Sequence, residues 1–229
     1  LVELMVESEP HRAKYTPQQL TGQLGGTMTR VRDDYEKADI HSVEDIRDRA
    51  LLLLAFASGG RRRSEVAALR VEDLVEEEPV LSDPADPNSR LLPCLTIRLG
   101  RTKTAAADED ERVVLIGKPV TALKIWLERA NITSGPLFRG IDRWGHIDRK
   151  GLEPQSVNLI LKTRIKAAGL DPTAYSAHGL RSGFLTEAAN RGISLPEAMQ
   201  QSRHKSTAQA ASYYNDAERK LGKAARLMS

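Results

Sequence analysis

The residues best suited to chemistry gather in one C-terminal stretch, where His178 and Arg181 are followed by His204 and then Tyr213. Residues three apart on a helix share a face, so His178 and Arg181 would present an imidazole beside a guanidinium. A helix N-terminus adds N–H groups and partial positive charge, and both favour an anion. Tyrosine, with a pKa near ~10, is a weak nucleophile at neutral pH and needs help from its surroundings. Two arginines that neutralise a phosphate would supply that help by stabilising a pentacoordinate transition state. The arginine run at 61–63, far upstream, offers the second guanidinium. These types suggest attack on a phosphodiester without a metal, since no dense Asp/Glu constellation stands ready to hold one.

The elements that must position these groups follow from caps and periodicity. Ser176 is placed to cap a helix over 177–190, with Leu180, Phe184 and Ala188 as its core stripe and Gly192 as a left-handed cap. Ser194 and Glu197 have capping-box spacing, with Pro196 in the first turn, which predicts a second helix over 195–201. His204 falls in the basic turn Arg203-His204-Lys205, and Ser206 or Thr207 opens a third helix that carries Tyr213 and Tyr214. Adjacent helical residues point about 100° apart, so only one of the two tyrosines can face a phosphate.

Upstream, residues 1–15 read as linker, and Thr16-Pro17 starts a helix that Gly22, Gly25 and Gly26 weaken before a stripe of Met28, Val31 and Tyr35. Ser42 and Asp45 open a buried helix, with Ile46, Ala50, Leu53, Leu54 and Ala57 on one side, which stops at Gly59-Gly60. Arg62 then lies in a turn before a helix capped by Ser64. Strands are expected at 71–76, 91–99 and 112–116, with a solvent loop at 79–90 and Lys103 at the tip of the long turn 100–110. Helices are expected at 118–130 and 155–168, with a loop or hairpin at 139–150 in which Trp144 packs. The fold class is mainly α with a small antiparallel three-stranded sheet (α+β).

The 229 residues are 40% hydrophobic, enough for a core. The net charge of +3 and pI of about 9.0 do not by themselves imply nucleic acid. The basic residues are grouped, however, at 61–63, 98–103, 139–150 and 203–205, with acidic groups at 76–78 and 108–111. Such grouping fits a DNA partner better than uniform charge does. The single cysteine, Cys94, lies in an apolar strand and fits a reducing compartment. No run of about 18 apolar residues and no signal peptide is evident, so a cytoplasmic location at the nucleoid is expected.

HGLR at 178–181, RH at 203–204 and Tyr213 resemble the signature of the tyrosine recombinase (phage integrase) family. GGRRRSEVAALRVEDL at 59–74 is similar to that family's first-arginine segment and puts Arg62 at the arginine position and Glu65 at a supporting acidic one. GRTKT at 100–104 resembles the lysine turn of Cre-like members and puts Lys103 at the catalytic lysine. The resemblance runs from about Ser42 to the C-terminus. It implies a recombinase catalytic domain over 41–229, a linker and leading helix over 1–40, and a separate N-terminal DNA-binding domain absent from this chain. It implies further that Tyr213 forms a 3′-phosphotyrosyl link, Arg62 and Arg181 hold the phosphate oxygens, and Lys103 protonates the leaving oxygen. His178 would be the acid/base partner of the tyrosine, and His204 would hydrogen-bond the phosphate. Candidates for DNA contact are Arg61, Arg63, Arg101, Arg203 and Lys205. No cofactor is implied. The implied partners are double-stranded DNA and further copies of the chain in a tetramer, with a C-terminal segment docked on a neighbour.

Two positions depart from the family pattern: Arg203 stands where glycine is usual, and Arg61 where an apolar residue is. Two other readings remain at this point, a type IB topoisomerase-like strand transferase and a non-catalytic DNA-binding regulator of the same fold. The regulator's mark would be a lost Tyr, Arg or His, and none is lost.

Overall fold

The computed structural model describes residues 42–99, 112–204 and 206–221. The expectations for the leading helix, Arg101, Lys103, Lys205 and the tail from 222 lie outside them. The chain divides into two compact units, residues 42–58 with 64–157, and residues 59–63 with the chain from Asn158 onward. The fold is mainly helical with small antiparallel sheets, as the sequence predicts.

In the first unit, helix α1 (Val43–Ala57) begins where expected. The Ser42 hydroxyl accepts from the Asp45 N–H at 3.0 Å and donates to the Asp45 carboxylate at 2.6 Å. This pairing satisfies an N–H that the helix cannot use itself. Ala50, Leu51, Leu52, Leu54 and Ala55 are buried. So are Arg47 and Asp48, a buried ion pair at 2.7 Å that hydrophobic periodicity does not reveal. Arg47 also donates to the Arg139 carbonyl at 3.4 Å. Helix α2 (Arg63–Ala68) starts one residue before the expected cap, Ser64.

A three-stranded antiparallel sheet follows, in the order β1 (Leu74–Leu81), β2 (Leu91–Arg98), β3 (Arg112–Ile116). Leu95 pairs with Leu115 and Ile97 with Val113, and all four are buried. Strand period 2 places them on one face. Cys94 is buried in the central strand, as expected. Strand β1 is longer than predicted and runs through Pro79. It is an edge strand whose register shifts between Glu77 and Val80, and such an irregularity accommodates a residue with no N–H to donate. Helix α3 (Lys118–Arg129) packs on α1 and on the sheet. Its fully buried Trp126 donates its indole N–H to the Leu137 carbonyl at 2.8 Å.

The basic segment after Phe138 is a hairpin of β4 (Arg139–Ile141) and β5 (Ile147–Gly151). The Asp142 carboxylate closes it by accepting from the N–H groups of Trp144 and His146. These bonds, the one from His146 foremost among those that favour the charged form, hold that carboxyl below its usual range. Trp144 does not pack, contrary to expectation. It is 68% exposed, with the Arg143 guanidinium 3.9 Å above its ring, a cation–π contact that needs no core around it.

Helix α4 (Pro154–Ala167) buries Val157, Ile160, Leu161 and Ile165, the predicted stripe. In the second unit, helices α5 (Gly179–Asn190), α6 (Leu195–Ser202) and α7 (Thr207–Leu221) pack together. Their shared core is Leu185, Ala188, Ala189, Ala198, Ala210 and Tyr214, with Phe184, Leu195, Met199 and Tyr213 at its margin. Helix α5 ends as predicted. Gly192 has φ +71 and the Ile193 N–H reaches back to the Ala188 carbonyl at 2.9 Å. Among the described residues no helix is long and apolar enough to cross a membrane.

Removing one half of the buried pair leaves a buried charge without its partner. Asp48→Ala is therefore expected to cost about 3–5 kcal/mol, and urea denaturation of the two proteins measures it.

Candidate active site

The site is built on a turn with no room for side chains. After α1 the chain passes through Gly59 and Gly60, at φ +90 and +70. A Cβ on Gly59 would overlap the Ser202 backbone, and one on Gly60 would overlap the Arg181 backbone. The turn is thus laid directly on the end of α6 and the start of α5. Only glycine combines the left-handed conformation with that approach.

The arginine run that follows splits in two directions. Arg61 is 5% exposed, and its guanidinium donates to the Gln201 carbonyl at 3.0 Å. It was a candidate for DNA contact, and burial corrects that reading. It binds the C-terminal end of α6, where carbonyls carry partial negative charge and attract a cation. Arg62 and Arg63 are exposed.

His178 occupies the N-cap position of α5, which begins at Gly179 rather than near Ala177. The Ser176 hydroxyl still accepts from the Gly179 N–H, at 3.4 Å. His178 is exposed and Arg181 half-buried on that first turn. His204 follows α6. Arg203, the C-cap residue before it, is left-handed at φ 56 and ψ 39. That conformation accounts for the glycine usual at this position, since a side chain there is strained.

His204 is engaged through both ring nitrogens. Its Nε2 lies 3.1 Å from Arg181 Nε and its Nδ1 2.7 Å from Ser202 Oγ. Arginine can only donate, so Nε2 is the acceptor and the proton of the neutral ring sits on Nδ1. The pKa of His204 is pushed down to about 4, by burial first and then by the charges of Arg181, Arg62, His178 when protonated, and Arg61. The structure thus brings Arg62, His178, Arg181 and His204 together, with Arg61 behind them. Such a concentration of donors and positive charge around one neutral ring is fitted to an anion.

Tyr213 and Tyr214 differ sharply. Tyr214 is 2% exposed and its hydroxyl donates to the Ile193 carbonyl at 3.4 Å. Tyr213 is half-buried at the margin of the helical core. Glu65 is half-buried in the first turn of α2. Among the described residues no three His, Cys, Asp or Glu side chains cluster where a metal would need them. Sequence reasoning missed Ser202. A serine two residues before a histidine carries no pattern, and only the helix end brings its hydroxyl to the ring.

The model of the phage integrase family matches residues 32–220. An integrase/recombinase xerD homolog from Selenomonas ruminantium is 34% identical over 195 residues, 81% of this chain and 53% of that protein. The tyrosine recombinase XerD of Xanthomonas campestris pv. campestris is 27% identical over 202 residues, 83% of this chain and 55% of that protein. The chain spans about half the length of the curated relatives it matches. Among solved structures, the XerH site-specific recombinase bound to palindromic difH substrate has a TM-score of 0.63 at 19% identity, over 88% of this chain and 51% of that one. XerA recombinase has a TM-score of 0.57 at 18% identity, over 96% of this chain and 67% of that one. These two likenesses establish the fold.

Two predictions follow from the packing and the charge. Gly60→Ala should cost more than about 3 kcal/mol, because backbone must move. Gly192→Ala has open space around it and should cost only the about 1–2 kcal/mol of a left-handed alanine. Chemical denaturation of the two variants separates crowding from strain. The histidine gives the second. The folded pKa of His204, about 4, lies below the ordinary 6.5, so the unfolded chain binds that proton more tightly. The stability it contributes is present above 6.5 and is lost as pH falls toward about 4. The denaturation midpoint should drop more steeply across that window in the wild type than in His204→Gln, which keeps an acceptor and does not titrate.

Proposed function

We propose, from the premise that this chain belongs to the phage integrase family, that it cuts and rejoins duplex DNA at a specific site through a 3′-phosphotyrosyl link. The observation that carries this reading is the cluster of Arg62, His178 and Arg181 around a neutral His204. Arg62 and Arg181 hold the non-bridging oxygens of the scissile phosphate and stabilise the charge of the pentacoordinate transition state. Tyr213 is the nucleophile, because burial commits Tyr214 to the core.

In the forward step the Tyr213 oxygen bonds to phosphorus and the bond from phosphorus to the 5′-oxygen breaks. His178 takes the tyrosine proton, and Lys103 gives a proton to the leaving 5′-oxygen. The 5′-hydroxyl of a second strand then attacks the phosphotyrosyl link and restores the tyrosine. One phosphodiester is exchanged for another, so the reaction draws on no nucleotide cofactor. His204 orients Arg181 through Nε2 while the ring is neutral; to hydrogen-bond the phosphate from that nitrogen it must first take up a proton and give up the Arg181 contact. An arriving phosphate favours that uptake, because its negative charge offsets the cations that depress the pKa. Glu65 supports the site from α2, and Arg63, Arg101, Arg203 and Lys205 contact the DNA backbone. Recombination takes place at the nucleoid in a tetramer, with the C-terminal segment of each copy docked on its neighbour. A longer protein with an N-terminal DNA-binding domain would supply the rest of the site recognition.

Covalent trapping tests this reading. The protein is incubated with nicked duplexes drawn from its host DNA, and SDS-stable adducts are separated by electrophoresis. The expected result is an adduct with the wild type and with Tyr214→Phe, none with Tyr213→Phe, and at least about 100-fold less with Arg181→Ala. An adduct that survives in Tyr213→Phe but not in Tyr214→Phe would reassign the nucleophile.

A further inference from the structure

We propose that Ser202 is a positioning residue of the anion site, whose hydroxyl oxygen accepts a hydrogen bond from the Nδ1–H of His204 and so fixes the tautomer that lets Nε2 receive the Arg181 Nε–H. The idea rests on the function proposed above for its catalytic consequence, and on geometry alone for the tautomer.

The geometry has three links. The Ser202 side chain is wholly buried at the last residue of α6, so its hydroxyl is held in place beside the ring. Its Oγ lies 2.7 Å from Nδ1, and Arg181 Nε lies 3.1 Å from Nε2. The other neutral tautomer would set the Nε2 hydrogen against the Arg181 hydrogen, donor to donor, and would leave Nδ1 as an acceptor. Protonation would do the same at Nε2. The side chains whose charge reaches the ring are Arg181, Arg62, His178 and Arg61, all of them cationic or able to become so. The group within hydrogen-bond distance of Nδ1 is the Ser202 hydroxyl, whose oxygen can accept.

The consequence falls on Arg181. A guanidinium is a planar fork, so fixing Nε fixes the plane in which its terminal nitrogens meet a phosphate. Ser202 is itself fixed, because the Gly59 turn lies against its backbone. Loss of the hydroxyl leaves the Nδ1 proton without that acceptor and releases the tautomer. Ser202 thus acts through His204 on Arg181 and does not touch the reacting atoms.

The test has two arms on the full chain. In the first, long-range 15N NMR reads the ring nitrogens of the five histidines, with His204 assigned by the signal missing from His204→Gln. The wild type at neutral pH should show Nδ1 protonated and Nε2 bare. In Ser202→Ala the His204 signals should shift to the other tautomer or to a mixture, and Ser202→Thr should restore the wild-type pattern. In the second arm, adduct formation on nicked duplex is followed from pH 5 to 9. Ser202→Ala should be slowed about tenfold, the worth of one buried hydrogen bond, with an altered pH profile, and Ser202→Thr should recover most of the rate. A wild-type His204 protonated on Nε2, or an alanine variant with unchanged tautomer and rate, overturns the proposal. Equal slowing in both variants with the tautomer unchanged assigns Ser202 to packing alone and also overturns it. If the alanine variant fails to fold, the wild-type tautomer decides. If no wild-type adduct forms on any duplex, the recombinase reading fails while the NMR arm still judges the tautomer.

Discussion

The Gly59–Gly60 turn is pressed against two other backbones with no space for a Cβ. Most of the site depends on that contact. It places the next residues so that Arg61 turns inward to the Gln201 carbonyl, while Arg62 stays exposed with its charge reaching His204. It also locates Ser202 and Arg181, the two partners of the His204 ring. A side chain at either glycine would act on all of these together, since the turn and the helix ends are one packed contact. Crowded backbone is a more exacting reference than side-chain packing, because neither partner can rotate away.

Collecting positive charge at one point is costly, and the structure offsets the cost locally. Arg61 is buried but donates to a carbonyl at a helix end, where the field favours a cation. His204 stays neutral and offers the cluster an acceptor in Nε2. An anion would add negative charge among these cations and lessen their mutual repulsion. The same repulsion lowers the proton affinity of His204, and an anion would raise it again. Binding and protonation at this ring are therefore coupled with a fixed sign: each favours the other.

Much of the scaffold could be read from local chemistry. Ser42, Ser194 and Gly192 act as caps where their spacing said they would, and the apolar stripes of α4 and α5 face inward. The misses share a cause, which is that tertiary contact decided between options the local pattern left equal. Three consecutive arginines give no hint which is interior, and the choice of Arg61 follows from the glycine turn. Hydrophobic periodicity says nothing of Arg47 and Asp48, which are buried as each neutralises the other. Strand β1 survives Pro79 only because it is an edge. Trp144 is expected to pack within the 139–150 hairpin, yet a guanidinium covers its face and the ring stays in solvent. The site's types and order were legible, whereas the hydrogen bond from His204 to Ser202 was not.

The two tyrosines show how packing can turn an ambiguous pair into a distinct one. The contact between α5, α6 and α7 is made largely by alanines, at 188, 189, 198 and 210. Small residues let the helices approach closely, and among the described buried residues of the cluster the aromatic ring is that of Tyr214. Its hydroxyl meets the Ile193 carbonyl just past the Gly192 cap, so the turn that ends α5 also holds that ring. Helical geometry then places Tyr213 about 100° around the axis, at the edge of the cluster rather than within it. The same alanines that make Tyr214 structural leave Tyr213 at the margin, where the nucleophile proposed above could change its partners without opening a core.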